Sequence, residues 1–150
     1  SAVGEVNVVE KMKKYNAVIG GEGNGGIIYP TLHYGRDALV GIALFLTYLA
    51  EQNISCKSLR NTYPNYYMSK NKIDLDLSVD ISRIFNTIQL KYSSNKLNTI
   101  DGLKIDFDQG WVHLRKSNTE PIIRIYSEST SQDKAEELSQ DFINQIKEIL

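Results

Sequence analysis

The sequence predicts an α+β fold, in which an α/β unit precedes a four-stranded antiparallel sheet with two helices on one face. Two observations predict the sheet and its helices. Residues 103–107 alternate apolar with charged side chains, as a strand with one buried face does. Apolar residues also recur at helical spacing in 81–88 and 135–149. The resulting order of strand, helix, three strands and helix is typical of such a sheet.

The first unit is predicted from short apolar runs broken by glycines. In chain order it contains a helix over 6–15, strands at 17–19 and 27–29, and a helix over 38–52. Val6, Val9 and Met12 share one side of the first helix, and Asp37 is a natural N-cap for the second. The second helix is apolar nearly all round, so we expect it to be buried between other elements.

The second unit follows a polar stretch that we interpret as a linker. The predicted division is into domains at 1–52 and 63–150, joined by a linker at 53–62. The second domain should contain a strand over 66–73, a helix through 81–88, strands at 103–107, 111–115 and 122–128, and a helix through 135–149. Asp80 or Ser78 would cap the first of these helices, and Ser131 would cap the second.

Composition and charge describe a cytoplasmic globular protein. Hydrophobic residues make up 41% of the 150 residues, which is enough to fill a core. The net charge is −1 and the 17 lysines and arginines are scattered, so nothing indicates a nucleic acid or membrane partner. The single cysteine, Cys56, has no partner for an internal disulfide, which suits a reducing compartment. The chain begins at Ser1 without a methionine or a signal peptide, and we expect it to be cut from a longer protein.

A polar loop at 115–121 separates the last two predicted strands and collects groups that bind phosphate. Arg115 offers a planar fork of N–H donors, and Ser117 and Thr119 add hydroxyls. Asn118 adds an amide, and the loop backbone can turn N–H groups toward one anion. An ordinary polar turn with a solvated arginine explains the same residue types equally well.

A glycine loop at 20–26 carries an acid and an amide, Glu22 and Asn24. The glycine spacing of a dinucleotide loop is missing, and an acid would repel a pyrophosphate. A carboxylate that accepts two hydroxyl hydrogens, beside an amide that both donates and accepts, suits the hydroxyls of a sugar. A glycine turn with two exposed polar residues is the structural alternative.

Both loops resemble those of the alpha-D-phosphohexomutases, which include phosphoglucomutases, phosphomannomutases and phosphoglucosamine mutases. The residues that carry the resemblance are Arg115-Lys116-Ser117-Asn118-Thr119-Glu120-Pro121 with Arg124 and Tyr126, and Gly21-Glu22-Gly23-Asn24-Gly25. The implied phosphate ligands are Arg115, Ser117, Asn118 and Thr119. The implied sugar ligands are Glu22, Asn24 and Gly25. The implied neighbours of the substrate are Arg36 and Arg124.

The resemblance also implies an architecture and an activity. It covers the chain from Val3 to the last helix, with a partial α/β domain similar to the latter half of the family's third domain, and then its fourth domain. The family moves a phosphoryl group between the C1 and C6 hydroxyls of a hexose, with a phosphoserine and Mg²⁺ held in its first and second domains. We therefore expect this chain to bind the sugar hydroxyls and the non-reacting phosphate, to need the N-terminal domains of the same protein, and to be inactive alone. A non-catalytic phosphosugar-binding module is the alternative.

Five further features leave alternatives open or argue against other sites. A structural role for Arg36 explains its position as well as substrate contact does, and His33 lacks the spacing of a metal ligand. Glu120 would repel a phosphate, so we expect it to point away. Carboxylates spaced as in magnesium sites occur at Asp74-x-Asp76 and Asp106-x-Asp108, and we interpret both as solvated strand faces. Glu5 stands where phosphomannomutase/phosphoglucomutase members have a histidine, so the preferred sugar stays open.

Overall fold

The computed structural model describes residues 1–76, 78–117 and 119–150. They form two compact units, Ser1–Pro64 and Asn65–Leu150. The segment at 53–62, interpreted above as the linker, ends just before this division and contains a short helix. None of the helices formed by the described residues is long and apolar enough to cross a membrane.

The first unit contains three helices and a small hairpin. Its elements are α1 (Glu5–Tyr15), β1 (Gly20–Gly21), β2 (Ile27–Ile28), α2 (Ala38–Gln52) and α3 (Cys56–Arg60). The two long predicted helices are confirmed, but the strand predicted at 17–19 is wrong. Asn16 adopts a left-handed φ of 49°, and the N–H of Ala17 donates to the carbonyl of Met12 at 2.9 Å. These residues therefore complete the end of α1, and pairing with β2 starts only at Gly20.

The predicted burial of α2 is wrong for this chain. Leu49 is the buried residue of this fully described helix, whereas Leu39, Ile42 and Leu46 are 79%, 55% and 55% exposed. Gly41 allows α2 to approach the side chain of Ile27 closely, since a Cβ there would lie 2.9 Å from it. The two-stranded hairpin is too small to cover more than one side of a helix that is apolar on all sides.

The second unit is an antiparallel sheet with two helices. Its elements are β3 (Tyr67–Asp74), α4 (Ile81–Lys91), β4 (Lys96–Asn98), β5 (Leu103–Phe107), β6 (Gly110–Lys116), β7 (Ile122–Ser129) and α5 (Gln132–Ile149). The strand order is β3-β7-β6-β5-β4, and every neighbouring pair is antiparallel. The α+β class is thereby confirmed.

The sheet has five strands where the sequence predicted four. The additional strand, β4, has only three residues, and Leu97 alone among them is apolar. A strand this short shows no alternation, so only its pairing with β5 reveals it. As an exposed edge strand that begins with a lysine, it also limits further pairing of the sheet.

The core lies between one face of the sheet and the two helices, as predicted. The buried cluster consists of Ile73, Ile84, Ile88, Leu103, Ile105, Val112, Leu114, Ile123, Ile125, Phe142 and Ile146. Because side chains alternate along each strand, residues an odd number of positions from these buried ones in the same strand lie on the opposite face, which we call the outer face. The side chains of Asp80 and Ser131 accept hydrogen bonds from the first turns of α4 and α5, so both predicted caps are confirmed.

Candidate functional site

The hairpin between β6 and β7 gathers two of the predicted hydroxyl groups. The Oγ of Ser117 and the Oγ1 of Thr119 lie 3.4 Å apart, and Ser117 is buried. Two backbone hydrogen bonds close the loop. The N–H of Ser117 donates to the carbonyl of Ile122 at 3.1 Å, and the N–H of Ile122 donates to the backbone carbonyl of Glu120 at 2.8 Å. Asn118, the third predicted polar side chain, lies outside the described residues. The two described hydroxyls are thus adjacent, and Ser117 Oγ also accepts the N–H of Thr119 at 3.4 Å.

Two arginines face each other where this hairpin begins. Arg115 on β6 is the direct partner of Arg124 on β7, and both lie on the outer face. Like charges directly opposite each other destabilise a sheet unless something neutralises them. Arg115 is neutralised in part, because its Nε donates to Asp101 Oδ1 at 3.0 Å. The Nε of Arg124 is buried and has no hydrogen-bond partner among the residues that the structure describes.

A third cation extends this pair across the sheet. Lys72 on β3 is the direct partner of Arg124, so Lys72, Arg124 and Arg115 form a continuous row, which we call the cation row. A groove of about 450 Å³ borders the row and is also lined by Glu120 and Tyr126. Lys72 is paired with Asp74 at 3.2 Å, but both side chains are mostly exposed and the pair is weak. Two of the three cations in the row are thus paired with acids, and Arg124 is the member whose Nε has no acceptor among the described residues.

Asp101 is a residue of this site that the sequence reasoning missed. It is 14 residues away from Arg115 along the chain, so no local motif connects the two. The register of β5 and β6 does connect them, because Leu103 opposes Leu114 and places the residues before β5 beside Arg115. Asp101 could have been identified from the sequence only by pairing β5 with β6 in the correct register.

The glycine loop uses its predicted ligands to hold its own shape. The Oε1 of Glu22 accepts the N–H of Gly4 at 2.9 Å, and the Oδ1 of Asn24 accepts the N–H of Gly26 at 3.0 Å. Gly25 has a φ of +87°, a conformation that side chains other than hydrogen disfavour. These contacts use one atom of each polar side chain, and they leave Glu22 Oε2 and Asn24 Nδ2 for hydroxyl groups.

Arg36 lies against the glycine loop but is already paired. Its Nε donates to Glu5 Oε2 at 2.8 Å, and its backbone N–H donates to Glu5 Oε1 at 3.3 Å. Its stem is close to Gly26, since a Cβ at that glycine would lie 2.7 Å from Arg36 Cδ. Glu5 therefore fixes Arg36 beside the loop, an arrangement compatible with either of the roles considered for this arginine.

His33 acts at the start of α2. Its Nε2 lies 3.1 Å from Asp37 Oδ2, while Asp37 Oδ1 caps the helix by accepting the N–H of Val40 at 3.0 Å. The pKa of Asp37 is lowered below its ordinary value. The largest cause is the hydrogen bond from the N–H of Val40, and the next largest is the hydrogen bond from His33. The confirmed N-cap is thus part of a small hydrogen-bonded motif.

Two of the four spaced carboxylates, Asp74 and Asp106, are paired with lysines. Asp74 pairs with Lys72, and Asp106 pairs with Lys104 on the same strand. The described residues contain no group of three or more metal-ligating side chains close enough to hold an ion. Each of these two acids faces a cation of the protein, which suits the solvated strand faces expected from the sequence.

Two domain models of one family match nearly the whole chain. Residues 1–67 match the model described as phosphoglucomutase/phosphomannomutase, alpha/beta/alpha domain III. Residues 74–145 match the model described as phosphoglucomutase/phosphomannomutase, C-terminal domain. The chain therefore belongs to the phosphoglucomutase/phosphomannomutase family, as its two loops suggested.

Relatives extend this similarity over almost the full length of the chain. The phosphoglucosamine/phosphogalactosamine mutase of Sulfurisphaera tokodaii is 39% identical over 150 residues, covering 99% of this chain and 32% of the relative. The phosphoglucomutase/phosphomannomutase of Thermococcus kodakarensis is 37% identical, with the same coverage of 99% and 32%. A crystal structure of a family protein from Burkholderia thailandensis superposes with a TM-score of 0.74 at 25% identity, covering 98% of this chain and 31% of that one. The chain spans about a third of the length of these proteins.

Proposed function

We propose that this chain is the substrate-binding part of a phosphohexomutase, which moves a phosphoryl group between the C1 and C6 hydroxyls of a hexose phosphate. One observation carries the proposal. Arg115 and Arg124 oppose each other on adjacent strands, and the buried Nε of Arg124 has no acceptor in the described part of the chain. Leaving such a donor buried and unpaired costs about 1–3 kcal/mol. A bound phosphate supplies both the missing acceptor and the missing negative charge.

The β6–β7 hairpin holds the phosphate that does not react. Arg115 presents its fork of donors, and Ser117 and Thr119 present neighbouring hydroxyls to the remaining oxygens. Asn118 belongs to the same ligand set by its place in the motif. Arg124 approaches from the adjacent strand, and Glu120 also lines the groove but is exposed, so its carboxylate can remain in solvent.

The glycine loop holds the sugar. Glu22 accepts hydroxyl hydrogens through Oε2, and Asn24 donates through Nδ2. Gly25 allows a hydroxyl to approach the backbone, since no atom lies within 4 Å of the position of its missing Cβ. Arg36 borders the loop with its charge neutralised by Glu5, which suits contact with a neutral hydroxyl better than contact with a second phosphate.

Binding at these positions serves the reaction from a distance. A sugar held by its hydroxyls and its non-reacting phosphate presents the other end in a fixed orientation, which lowers the entropic barrier to transfer. In the whole protein, Mg²⁺ would assist the transfer from another domain. We expect the 150-residue chain alone to have no mutase activity.

The proposal is tested with the whole protein that contains this chain. We expect it to interconvert the 1- and 6-phosphates of at least one of glucose, mannose and glucosamine. Arg124→Ala should raise KM about tenfold or more, because a charged hydrogen bond is worth about 1.5–3 kcal/mol. Lys104→Ala is the matched control, since Lys104 is a cation of β5 that pairs with Asp106, lies over Trp111 and does not line the groove. Absence of all three activities, or an unchanged KM in Arg124→Ala, would reject the proposal.

A further inference from the structure

The loop before β5 is held tightly against the strand that carries Arg115. Gly102 has a φ of +78°, and a Cβ at this position would lie 2.2 Å from the carbonyl oxygen of Leu114 and 3.1 Å from the Cα of Arg115. Only glycine allows both the conformation and the approach. The backbone carbonyl of the preceding residue, Asp101, accepts a hydrogen bond from Nε2 of His113. Asp101 is thus fixed from two sides before its carboxylate makes any contact.

The fixed carboxylate contacts Arg115 at one specific atom. Asp101 Oδ1 accepts from Nε at 3.0 Å, and the two side chains are only 23% and 25% exposed. An arginine whose Nε is engaged can still donate through its two terminal nitrogens, which point away from the stem and match two oxygens of a phosphate. His113 and Arg115 lie on the same face of β6, so Asp101 bridges the two residues.

We propose that Asp101 is a positioning residue for phosphate binding: it holds the guanidinium of Arg115 so that its terminal nitrogens face the ligand of the β6–β7 hairpin. This inference rests on the proposed function of that hairpin. A flexible arginine loses several rotamers when it binds, and a partner that has already ordered it reduces that cost. The carboxylate at the same time repels the phosphate, so the sign of its net effect is decided by which contribution is larger.

Distance favours positioning over repulsion. The carboxylate binds the Nε side of the guanidinium and the phosphate binds the far side, so the two anions are separated by roughly 7 Å. For a phosphate dianion at that separation, the repulsion changes affinity about sevenfold in pure water, and salt at physiological strength reduces this to about threefold. Ordering of the arginine should outweigh it, so removal of Asp101 should weaken phosphate binding about fivefold to tenfold.

The test is a titration of the 150-residue chain with inorganic phosphate, followed by the backbone amide resonances of Ser117 and Thr119. Four variants are compared with the parent: Asp101→Ala, Asp101→Asn, Arg115→Ala and the double variant Asp101→Ala/Arg115→Ala. Asp106→Asn is the control, because Asp106 is a carboxylate of the neighbouring strand β5 that pairs with Lys104. Thermal unfolding of each variant establishes that it is folded.

We expect Asp101→Ala to raise the dissociation constant about fivefold or more, Asp101→Asn to raise it less, and the control to leave it nearly unchanged. Asp101→Ala should add nothing in the Arg115→Ala background, a result that a merely structural role would not give. Exchange of the Arg115 Hε with solvent should be faster in Asp101→Ala.

Three outcomes would overturn the inference: the first two concern the role of Asp101, and the third concerns the phosphate site itself. Unchanged or tighter phosphate binding in Asp101→Ala, with Arg115→Ala still impaired, would show that Asp101 does not position the arginine. Full additivity of the two changes would show the same. No effect of Arg115→Ala itself would instead remove the proposed phosphate site, and the positioning role with it.

Discussion

The two loops of this chain differ in how they use their polar groups. In the glycine loop, one side-chain oxygen of Glu22 and one of Asn24 each accept a hydrogen bond from a backbone N–H of the protein. In the β6–β7 hairpin, Arg124 keeps a buried donor for which the described residues provide no acceptor. The first arrangement pairs these groups within the protein, whereas the second leaves a buried donor that a bound phosphate would pair under the proposed function. This difference identifies the hairpin as the stronger candidate for anchoring a charged group.

The units that carry the loops also differ, because the second unit buries its apolar residues more completely than the first. The second unit buries a continuous cluster from four strands and two helices, including Ile105, Phe142 and Ile146. The first unit leaves most of the apolar surface of α2 in solvent. The hairpin therefore sits on a rigid support, while the glycine loop belongs to a unit whose own packing covers one side of its longest helix. A site needs fixed geometry most where it must orient charge.

The largest expected effect is on the free energy of unfolding, and it compares the packing of the two units directly. Phe142→Ala should lower the free energy of unfolding by about 3–5 kcal/mol, because Phe142 is 1% exposed and lies against Tyr92 and Phe107. Leu39→Ala should change it by less than about 0.5 kcal/mol, since Leu39 is 79% exposed. Urea denaturation of the chain measures both. A large loss in Leu39→Ala would mean that α2 is covered in solution, and the contrast between the units would fail.

The next effect concerns the anchor of the hairpin. Arg115→Lys keeps the charge but loses the two-pronged geometry, so KM of the whole protein for its hexose phosphate should rise about tenfold. Arg115→Ala should cost more. Lys116→Ala is the control and should cost little, because Lys116 follows Val112 and Leu114 on the opposite side of β6 and is exposed. If Lys116→Ala were the most damaging of the three, the anchor would lie on the other side of the strand.

A similar or smaller effect is expected at the glycine loop. Glu22→Gln keeps an oxygen for the N–H of Gly4 but loses charge-assisted acceptance from sugar hydroxyls, at a cost of about 1.5–3 kcal/mol in kcat/KM. Glu10→Gln, in the exposed part of α1, is the control. Unchanged kcat/KM in Glu22→Gln would mean that Glu22 only supports the turn, and that the glycine loop is structural.

The smallest effect is a dependence of stability on pH in the first unit. The pKa of Asp37 is lowered in the folded protein. The contribution of this carboxylate to stability is therefore present above its unfolded pKa of about 4, and it is lost as pH falls through the lower folded pKa. Asp37→Asn can still accept the N–H of Val40 but does not titrate. It should therefore flatten the dependence of the unfolding midpoint on pH below about 4, and an unaltered slope would show that Asp37 is not responsible.

The sequence predicted features that depend on a few neighbouring residues. The N-caps Asp37, Asp80 and Ser131 were correct because a cap involves side chains within three residues of one another. Both loops could be found because their polar groups are nearly consecutive, although the roles of those groups stay predictions. The helix α2 was predicted at its observed ends, but its exposure depends on what surrounds it and could not be read from its own residues.

Features that depend on pairing distant segments were missed. The strand β4 is defined only by its partner β5, and the contact of Asp101 with Arg115 exists only in one register of β5 and β6. The opposition of Arg115 and Arg124 likewise follows from the hairpin register and not from the spacing of the two arginines. A one-residue slip would put these side chains on opposite faces of the sheet, so no local pattern contains this information.

The most direct test of the central claim is a crystal structure of the whole protein with a bound hexose 6-phosphate or 1-phosphate. The phosphate that does not react should lie about 2.7–3.2 Å from the terminal nitrogens of Arg115 and from the hydroxyls of Ser117 and Thr119. Arg124 Nε should have acquired an acceptor in the same complex. A phosphate bound away from the β6–β7 hairpin, with both arginines arranged as they are here, would contradict the assignment of this hairpin as the phosphate site.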